Sequence, residues 1–233
     1  MLRRMDGALR LSGYREPLGL WVRESARVPE RPDLRARDLA FSSRGDRVNG
    51  RVILPAEGGG PLPVVLLQAD PATDGSEPPG SDWAALGAAV ATIDLPLHGA
   101  RADLKLRALL PRAGESAPDW RRALGREFTR QAVIDLERTL DALSALEWID
   151  PDRIVYVGFG LGGRLGAAFC ALDPRIRAAA LAPSTRGPEL DGAEPDAWMA
   201  RIPPRPLLAL APDATPSETR SELRSFLERT LAG

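Results

Sequence analysis

The chain has 233 residues, a length at which a single α/β domain with one large core is common. Its 31 Lys and Arg residues nearly balance 32 Asp and Glu residues, so charge singles out no nucleic acid, membrane or polyanionic substrate as a partner. One cysteine and one histidine exclude an internal disulfide and leave too few ligands for a zinc site, and we expect no cofactor. Because no run of about 18 apolar residues and no apolar signal-peptide core occurs, a soluble, cytoplasmic protein is expected.

Residues 1–33 show no firm hydrophobic period and are predicted to form an N-terminal extension. Its apolar side chains would lie on the body of the protein: Leu18, Leu20, Trp21 and Val22. Residues 34–233 are predicted to form a single domain. This domain opens with "LRARDLAF" and "RVNGRVILP", two alternating runs on either side of "SSRGD", which is the pattern of an antiparallel hairpin.

Further along the chain, short runs are apolar on both side-chain faces, which is typical of strands buried between two helix layers. They are "LPVVLLQ", "AAVATIDL", "RIVYVGF", "IRAAALAP" and "RPLLALAP". Helical patterns lie between them, and the last helix has a predicted capping box from Thr215 to Glu218. We therefore predict the α/β class: a three-layer α/β/α sandwich, mostly parallel, with an antiparallel N-terminal hairpin. Residues 98–127 have little period and are predicted to be an insertion over the carboxyl edge of the sheet.

The stretch "YVGFGLGG" places a strand directly before a glycine-rich turn and a helix. With the ordered strands around it, and with "ATIDLPLHGAR" as a fourth strand and turn, the chain resembles the α/β-hydrolase superfamily over about residues 35–212. The similar members are small esterases and dienelactone-hydrolase-like proteins. In that family the turn is a nucleophile elbow that reads GxSxG. Here Gly158, Gly160 and Gly162 read GxGxG, so the nucleophile position carries no side chain.

The resemblance also implies a catalytic His in a loop after an eighth strand, and an acid after the seventh. The histidine of this chain is His98, in the turn after the fourth strand, where relatives use it structurally. Too few residues follow the seventh strand for another strand and a His loop, so that last strand is expected to be absent. Asp213 occupies the place of the acid, and its alternative interpretation is a polar turn residue.

Backbone donors of an oxyanion hole survive the loss of side chains. The resemblance places them at Leu161 and at Gln68 or Ala69, next to the positive end of a helix. Phe159 and Arg101 are further candidates for binding a small carbonyl or carboxylate ligand. Other sources of a nucleophile are weaker candidates: Cys170 is expected to face the sheet, and Ser184 has no base within its motif.

A dinucleotide site is the alternative for the same glycines, because Gly158, Gly160 and Gly163 also fit GxGxxG. That fingerprint normally follows the first strand and has an acidic residue about 20 positions later, and neither condition is met here.

These observations favour a pseudoenzyme of the α/β-hydrolase fold, without serine-hydrolase activity, that binds a ligand or partner. One alternative is a lyase, cyclase or isomerase that uses side chains at the same edge: His98, Asp70, Arg101, Asp213 and Gln68. Another is an esterase-type hydrolase with an unusual site that involves His98 and Ser184. Since "PLLALA" would be a sheet edge, we also expect either coverage by the N-terminal segment or a homodimer through that edge.

Overall fold

The predicted N-terminal hairpin is formed by β2 (Leu34–Ser43) and β3 (Asp46–Pro55). Ser43 pairs with Asp46, so Arg44 and Gly45 alone make the turn, and both have positive φ, at 51° and 82°. Two central residues with positive φ match the right-handed twist of the strands, which is why this short turn closes the hairpin. The Arg44 guanidinium donates to Glu127 and Gln131, which ties the turn to the neighbouring helix.

The computed structural model describes residues 16–25, 28, 31–69, 80–103, 118–185 and 194–231. The remaining strands are β1 (Trp21–Glu24), β4 (Leu62–Gln68), β5 (Ala89–Ile93), β6 (Ile149–Gly160), β7 (Ile176–Pro183) and β8 (Leu207–Ala209). The helices are α1 (Ser81–Ala84), α2 (Pro118–Ser144), α3 (Leu161–Leu172), α4 (Pro195–Met199) and α5 (Arg220–Leu231), with a short 3-10 turn at Gly99–Arg101. None of the described helices is both long and apolar enough to cross a membrane.

The eight strands of the described residues form one sheet in the order β1-β2-β3-β5-β4-β6-β7-β8. Because β1 precedes the predicted hairpin, β8 is the run "RPLLALAP" that the resemblance numbers as the seventh strand. Pairing is antiparallel from β1 to β5 and parallel from β5 through β4, β6 and β7 to β8. The predicted α/β class, with a mostly parallel sheet after an antiparallel start, is confirmed. The parallel part brings the carboxyl ends of β4 to β8 to one edge, where open α/β sheets bind their ligands.

Apolar layers cover both faces of the sheet, as the predicted strands required. In β4, Val64 and Leu66 pack under α2 and α3, while Val65 and Leu67 pack under α1 and α5. The alternation follows from the two-residue period of a strand. A strand buried on both faces has few polar positions, and this explains the continuous apolar runs in the sequence.

Helix α2 begins at Pro118, inside the segment 98–127 that the sequence analysis assigned to an insertion. Most residues of its first turns, such as Trp120 and Arg126, are exposed. A helical segment in solvent needs no apolar stripe, so its sequence shows no helical period of apolar residues. The rest of the segment before the helix, residues 104–117, lies outside the described part of the chain.

The C-terminal capping box is present, just before the assigned start of α5. The backbone N–H of Thr215 donates to Glu218 Oε2 at 2.7 Å, and the N–H of Glu218 donates back to Thr215 Oγ1 at 3.4 Å. The contacts with Thr215 lower the pKa of the Glu218 carboxyl. The helix itself is assigned from Arg220, so the box closes the turn that leads into it.

The position of β1 bears on one of the two expectations for the β8 edge, its coverage by the N-terminal segment. The described N-terminal residues form β1 on β2, the edge opposite β8, so this part of the segment does not cover β8. Leu20 and Val22 pack on the core, but the alternation of β1 turns Trp21 outward, where it is 44% exposed beneath Arg23 and Arg47. A homodimer through β8 stays a prediction.

A buried ion pair joins the hairpin, α2 and the loop after β5. Arg101 Nη1 donates to Asp135 Oδ2 at 2.6 Å, and its Nη2 donates to Asp46 Oδ2 at 2.9 Å. The Asp135 side chain is fully buried, and its Oδ1 accepts from Ser43 and Gln131. Burial raises the pKa of Asp135, although these hydrogen bonds and Arg101 act against the shift.

A raised pKa means that the folded protein holds this proton more tightly than the unfolded chain does. Asp135 therefore favours folding most at pH values below its unfolded pKa, and this contribution is lost as the pH rises through its folded pKa.

We expect Arg101→Ala to lower the free energy of unfolding by about 3–5 kcal/mol, because it leaves a buried carboxylate without its counter-ion. The loss should be larger at about pH 7 than at about pH 3, where Asp135 is neutral in both states. Urea unfolding at both pH values measures it. Arg122→Ala removes the exposed Arg122–Asp119 pair and serves as the control, with an expected change of about 0–1 kcal/mol. Equal losses for the two variants would contradict the structural role of the buried pair.

Candidate functional site at the carboxyl edge

The turn from β6 into α3 has the backbone of a nucleophile elbow. Gly160 ends the strand, serves as the N-cap of the helix, and has φ 57° and ψ −122°. Side chains are strained at such a φ, and glycine is not. The residue at the tip of the elbow is therefore the one that its backbone favours, although it supplies no hydroxyl or thiol.

The glycines around Gly160 are explained by close packing of backbone. A Cβ at Gly162 would lie 2.2 Å from the Gln68 carbonyl oxygen, and one at Gly163 would lie 2.7 Å from the Ala182 carbonyl oxygen. A Cβ at Gly158 would lie 2.7 Å from the Gly162 carbonyl oxygen. Helix α3 thus rests directly on the ends of β4 and β7. These contacts account for the motif without a dinucleotide.

The predicted oxyanion donors lie around this turn. Leu161 is the first residue of α3, so its N–H has no intrahelical acceptor. Gly160 makes no side-chain cap, and the first N–H groups of the helix are not covered by a capping side chain. Gln68 ends β4 beside Gly162, and half-buried Ala69 follows it. The Nε2 atom of Gln68 is buried without a hydrogen-bond partner.

The loops after β7 and β8 join the elbow through hydrogen bonds. The N–H of Ser184 donates to the Gly160 carbonyl at 3.1 Å, which holds Ser184 beside the elbow. The Asp213 carboxylate accepts from the N–H of Thr185 at 3.0 Å and from the Thr185 hydroxyl. The Asp213 N–H donates to Pro183 at 3.2 Å. Asp213 thus connects the two loops.

His98 lies in the loop after β5 and is oriented by a backbone bond. Its Nδ1 is 2.8 Å from the Pro96 carbonyl oxygen. Because a carbonyl only accepts, Nδ1 carries a proton, and in the neutral ring the lone pair is on Nε2. The ring lies against the edge of Phe128, which packs with Leu161 on the same small apolar cluster. His98 and the first residue of α3 therefore border one region of the carboxyl edge.

The same loop explains the spacing Asp-x-x-x-His-Gly, Asp94 to Gly99, within "ATIDLPLHGAR". Asp94 Oδ2 accepts from the N–H of Ala100 at 2.9 Å. Gly99 has φ 55°, and a Cβ there would lie 2.0 Å from Asp94 Oδ1, so both the backbone and the neighbouring carboxylate favour glycine. Asp94 fixes the turn that carries His98, a role that the spacing alone does not reveal although it contains the residue.

Two predicted ligand-binding side chains are engaged elsewhere. Arg101 is committed to Asp135 and Asp46, and only 9% of its side chain is exposed. Phe159 is buried in the apolar layer under α1 and α5, because alternation along β6 turns it away from the elbow. Asp70 lies outside the described residues.

Cys170 is not a nucleophile for this site. Its side chain is fully buried in the layer between α3 and the sheet, as predicted, and burial raises the pKa of its thiol well above the usual value. Thiolate, the reactive form, is therefore disfavoured.

Within the described residues, no three His, Cys, Asp or Glu side chains are placed to hold a metal ion. A cavity of about 380 Å³ is lined by Pro151, Pro174 and Arg177. It lies at the amino ends of β6 and β7, away from the elbow.

The sheet order, the elbow and the helix layers define an α/β-hydrolase fold. The profile of the acetyl xylan esterase (AXE1) family matches residues 29–184, more than half of the chain. The chain therefore belongs to the acetyl xylan esterase (AXE1) family. No curated protein sequence matches it.

Solved structures with the same fold include esterases from several sources. An acetyl xylan esterase from Paenibacillus sp. R4 is 17% identical, with a TM-score of 0.65 over 99% of this chain and 92% of that one. Acetyl xylan esterase 1 from Thermoanaerobacterium sp. JW/SL YS485 is 17% identical, with a TM-score of 0.60 over 94% and 81%. A cold-adapted esterase from an Arctic intertidal metagenomic library is 18% identical, with a TM-score of 0.61 over 90% and 99%. At these identities the similarity shows the fold alone.

The leading interpretation from the sequence, a pseudoenzyme, is wrong. The family that the chain belongs to is an esterase family, and the solved structures with its fold include enzymes named as esterases. That interpretation depends on the absence of a side chain at Gly160 and on the early position of His98 in the chain. The comparisons favour the alternative instead, a hydrolase with an unusual site.

We expect Gly162→Ala to destabilise the protein by about 1–3 kcal/mol or more, because its Cβ would meet the backbone of Gln68, which cannot move without disturbing β4. Gly59→Ala is the matched control, since nothing lies within 4 Å of a Cβ there. Urea unfolding compares the two. A Gly162→Ala variant as stable as the control would contradict the close contact.

Cys170 should resist thiol reagents in the folded protein. A chromogenic disulfide added to native protein at about pH 8 should release no colour, and one equivalent should react after unfolding in guanidinium chloride. Rapid reaction without unfolding would show that the thiol is accessible.

Proposed function

We propose that this protein is an esterase-type hydrolase that cleaves small acyl esters, such as acetyl groups on a carbohydrate, at the carboxyl edge above Gly160. The observation that carries the proposal is the retained elbow backbone, with the uncapped N–H of Leu161 at the start of α3. Such donors stabilise the negative charge that develops on an ester carbonyl oxygen. Membership of an esterase family supports the reaction type, and the acetyl ester follows the family's description.

The nucleophile in this proposal is water. Gly160 has no side chain to attack a carbonyl. The hydroxyl of Ser184 is the other candidate, but β5, which precedes His98, and β7, which precedes Ser184, are separated by β4 and β6. Three strand spacings are about 14 Å, so the strand ends that carry these two loops are far apart, and this separation favours water over a hydroxyl paired directly with a histidine base. A water molecule can stand between His98 and a carbonyl over Gly160.

His98 is the proposed general base. Its Nδ1–H bond to Pro96 leaves the Nε2 lone pair available. As the water oxygen bonds to the acyl carbon, its proton passes to Nε2, and the carbonyl electrons move to the oxygen held by Leu161. When the tetrahedral species collapses, the C–O bond to the alcohol breaks, and His98 returns the proton to the leaving oxygen. The products are a carboxylic acid and an alcohol.

The test is turnover of 4-nitrophenyl acetate and of acetylated xylo-oligosaccharides by the purified chain. His98→Asn keeps an N–H donor for the Pro96 carbonyl and removes Nε2, so the loop should fold normally. We expect kcat to fall roughly 10²–10⁴-fold in this variant, the contribution of a general base, with an unchanged melting temperature.

Ser184→Ala distinguishes the two nucleophiles. We expect it to keep the activity and the wild-type protein to resist a fluorophosphonate probe. Labelling of the wild type that Ser184→Ala abolishes together with turnover would assign the attack to Ser184 instead. Absence of saturable turnover in the wild type, or full activity in His98→Asn, would overturn the proposal.

A further inference from the structure

The Gln68 side chain has an unusual hydrogen-bonding state for its burial. Only 4% of the residue is exposed, and its Nε2 has no partner. Other buried polar side chains of the described chain do have partners: Ser43 donates to Asp135, Thr139 to the Asp135 carbonyl, and Thr129 to the Gly125 carbonyl. A buried amide N–H without an acceptor costs folding free energy, so the fold alone does not account for Gln68.

The position of Gln68 relates this donor to the elbow. A Cβ at Gly162 would lie 2.7 Å from the Cβ of Gln68, so the side chain starts against the first turn of α3. Alternation along β4 puts Gln68 on the same face as Val64 and Leu66, which is the face that α3 covers.

Two kinds of donor at this place have no side-chain acceptor. The N-terminus of α3 has no side-chain cap, because its N-cap is Gly160. The first N–H groups of the helix and the side chain of Gln68 therefore belong to one region, because the Gln68 Cβ lies against Gly162 in the first turn of the helix. An oxygen atom that accepts from both would satisfy two kinds of uncompensated donor at once.

We infer that the Gln68 side chain is a catalytic residue whose Nε2 donates, together with the Leu161 N–H, to the substrate oxygen that becomes negatively charged. The inference rests on the proposed function for its kinetic part. The site accepts an oxygen with only acceptor character, such as an ester carbonyl, a tetrahedral oxyanion or a carboxylate. The terminal torsion of glutamine is soft, so the amide turns toward this oxygen as it binds.

The discriminating variant is Gln68→Leu, which keeps most of the side-chain volume and removes the donor. We expect kcat on 4-nitrophenyl acetate to fall about 10²–10³-fold with little change in KM, the effect of removing one oxyanion donor. Its melting temperature should stay the same or rise, because an unpaired buried amide is lost.

Gln131→Leu is the matched control. Gln131 is the same side chain with its partners present, since it donates to Asp135 at 2.7 Å and accepts from Arg44 at 2.9 Å. We expect this variant to melt at a lower temperature and to keep kcat. A Gln68→Leu variant that loses as much melting temperature as Gln131→Leu and keeps kcat would show that Gln68 is structural, and would overturn the inference.

A binding measurement separates this inference from the esterase proposal. The probe is 4-nitrophenyl methylphosphonate, a stable tetrahedral anion, titrated by calorimetry. We expect the wild type to bind it and Gln68→Leu to bind it at least ~10-fold more weakly. If the wild type binds the phosphonate through Gln68 but cleaves no ester, the esterase proposal fails and the inference stands. Equal affinity in both proteins overturns the inference whether or not esters are cleaved, and absence of both binding and turnover in the wild type overturns both proposals.

Discussion

The backbone at the end of β4 and the first turn of α3 approach so closely that Gly162 has room for no side chain. Gln68 presents its carbonyl to Gly162, and the end of β7 does the same to Gly163 at Ala182. This contact fixes the height of the helix above the sheet and points its N-terminus at the carboxyl edge. The rest of the site depends on it, because the elbow at Gly160 and the loops after β5, β7 and β8 are arranged around that helix end.

The C-terminus of α3, unlike its N-terminus, has a side chain that satisfies its free backbone groups. Arg205 donates to the carbonyl of Cys170 at 2.5 Å, and to those of Asp173 and Ile176 at 2.9 and 2.8 Å. A cation at a helix C-terminus satisfies the last carbonyls and favours the helix dipole. The N-terminus has only Gly160 as its cap. A cap of Ser, Thr, Asp or Asn normally stabilises a helix by about 1 kcal/mol, and this helix forgoes that contribution where its donors face the edge.

Much of the fold could be predicted because the buried faces of strands and helices appear in the sequence as a regular spacing of apolar residues. The alternating runs around the Arg44–Gly45 turn and the apolar strands were recognisable for this reason. The start of α2 at Pro118 was not, since its first turns lie in solvent. For the site, the sequence located the elbow at Gly160, but the meaning of that glycine depends on an arrangement of loops that no local pattern contains. The strand register decides which face of the sheet Phe159 lies on, and an error of one residue in the predicted register places it on the other face.

The hydrogen-bonding state of Gln68 was beyond prediction for another reason. A glutamine at the end of an apolar strand is usually either solvated or paired, and the sequence does not distinguish these cases from an unpaired one. The difference arises only when α3 covers the strand end and excludes water, because Gly162 lets the helix come so near. Two missing side chains therefore have two effects: Gly162 allows the close contact at the end of β4, and Gly160 leaves the first N–H groups of α3 without a side-chain cap. A serine at position 160 would place a hydroxyl acceptor next to those donors. Glycine supplies no such acceptor, so those donors are compatible with the proposed binding of a substrate oxygen at the elbow.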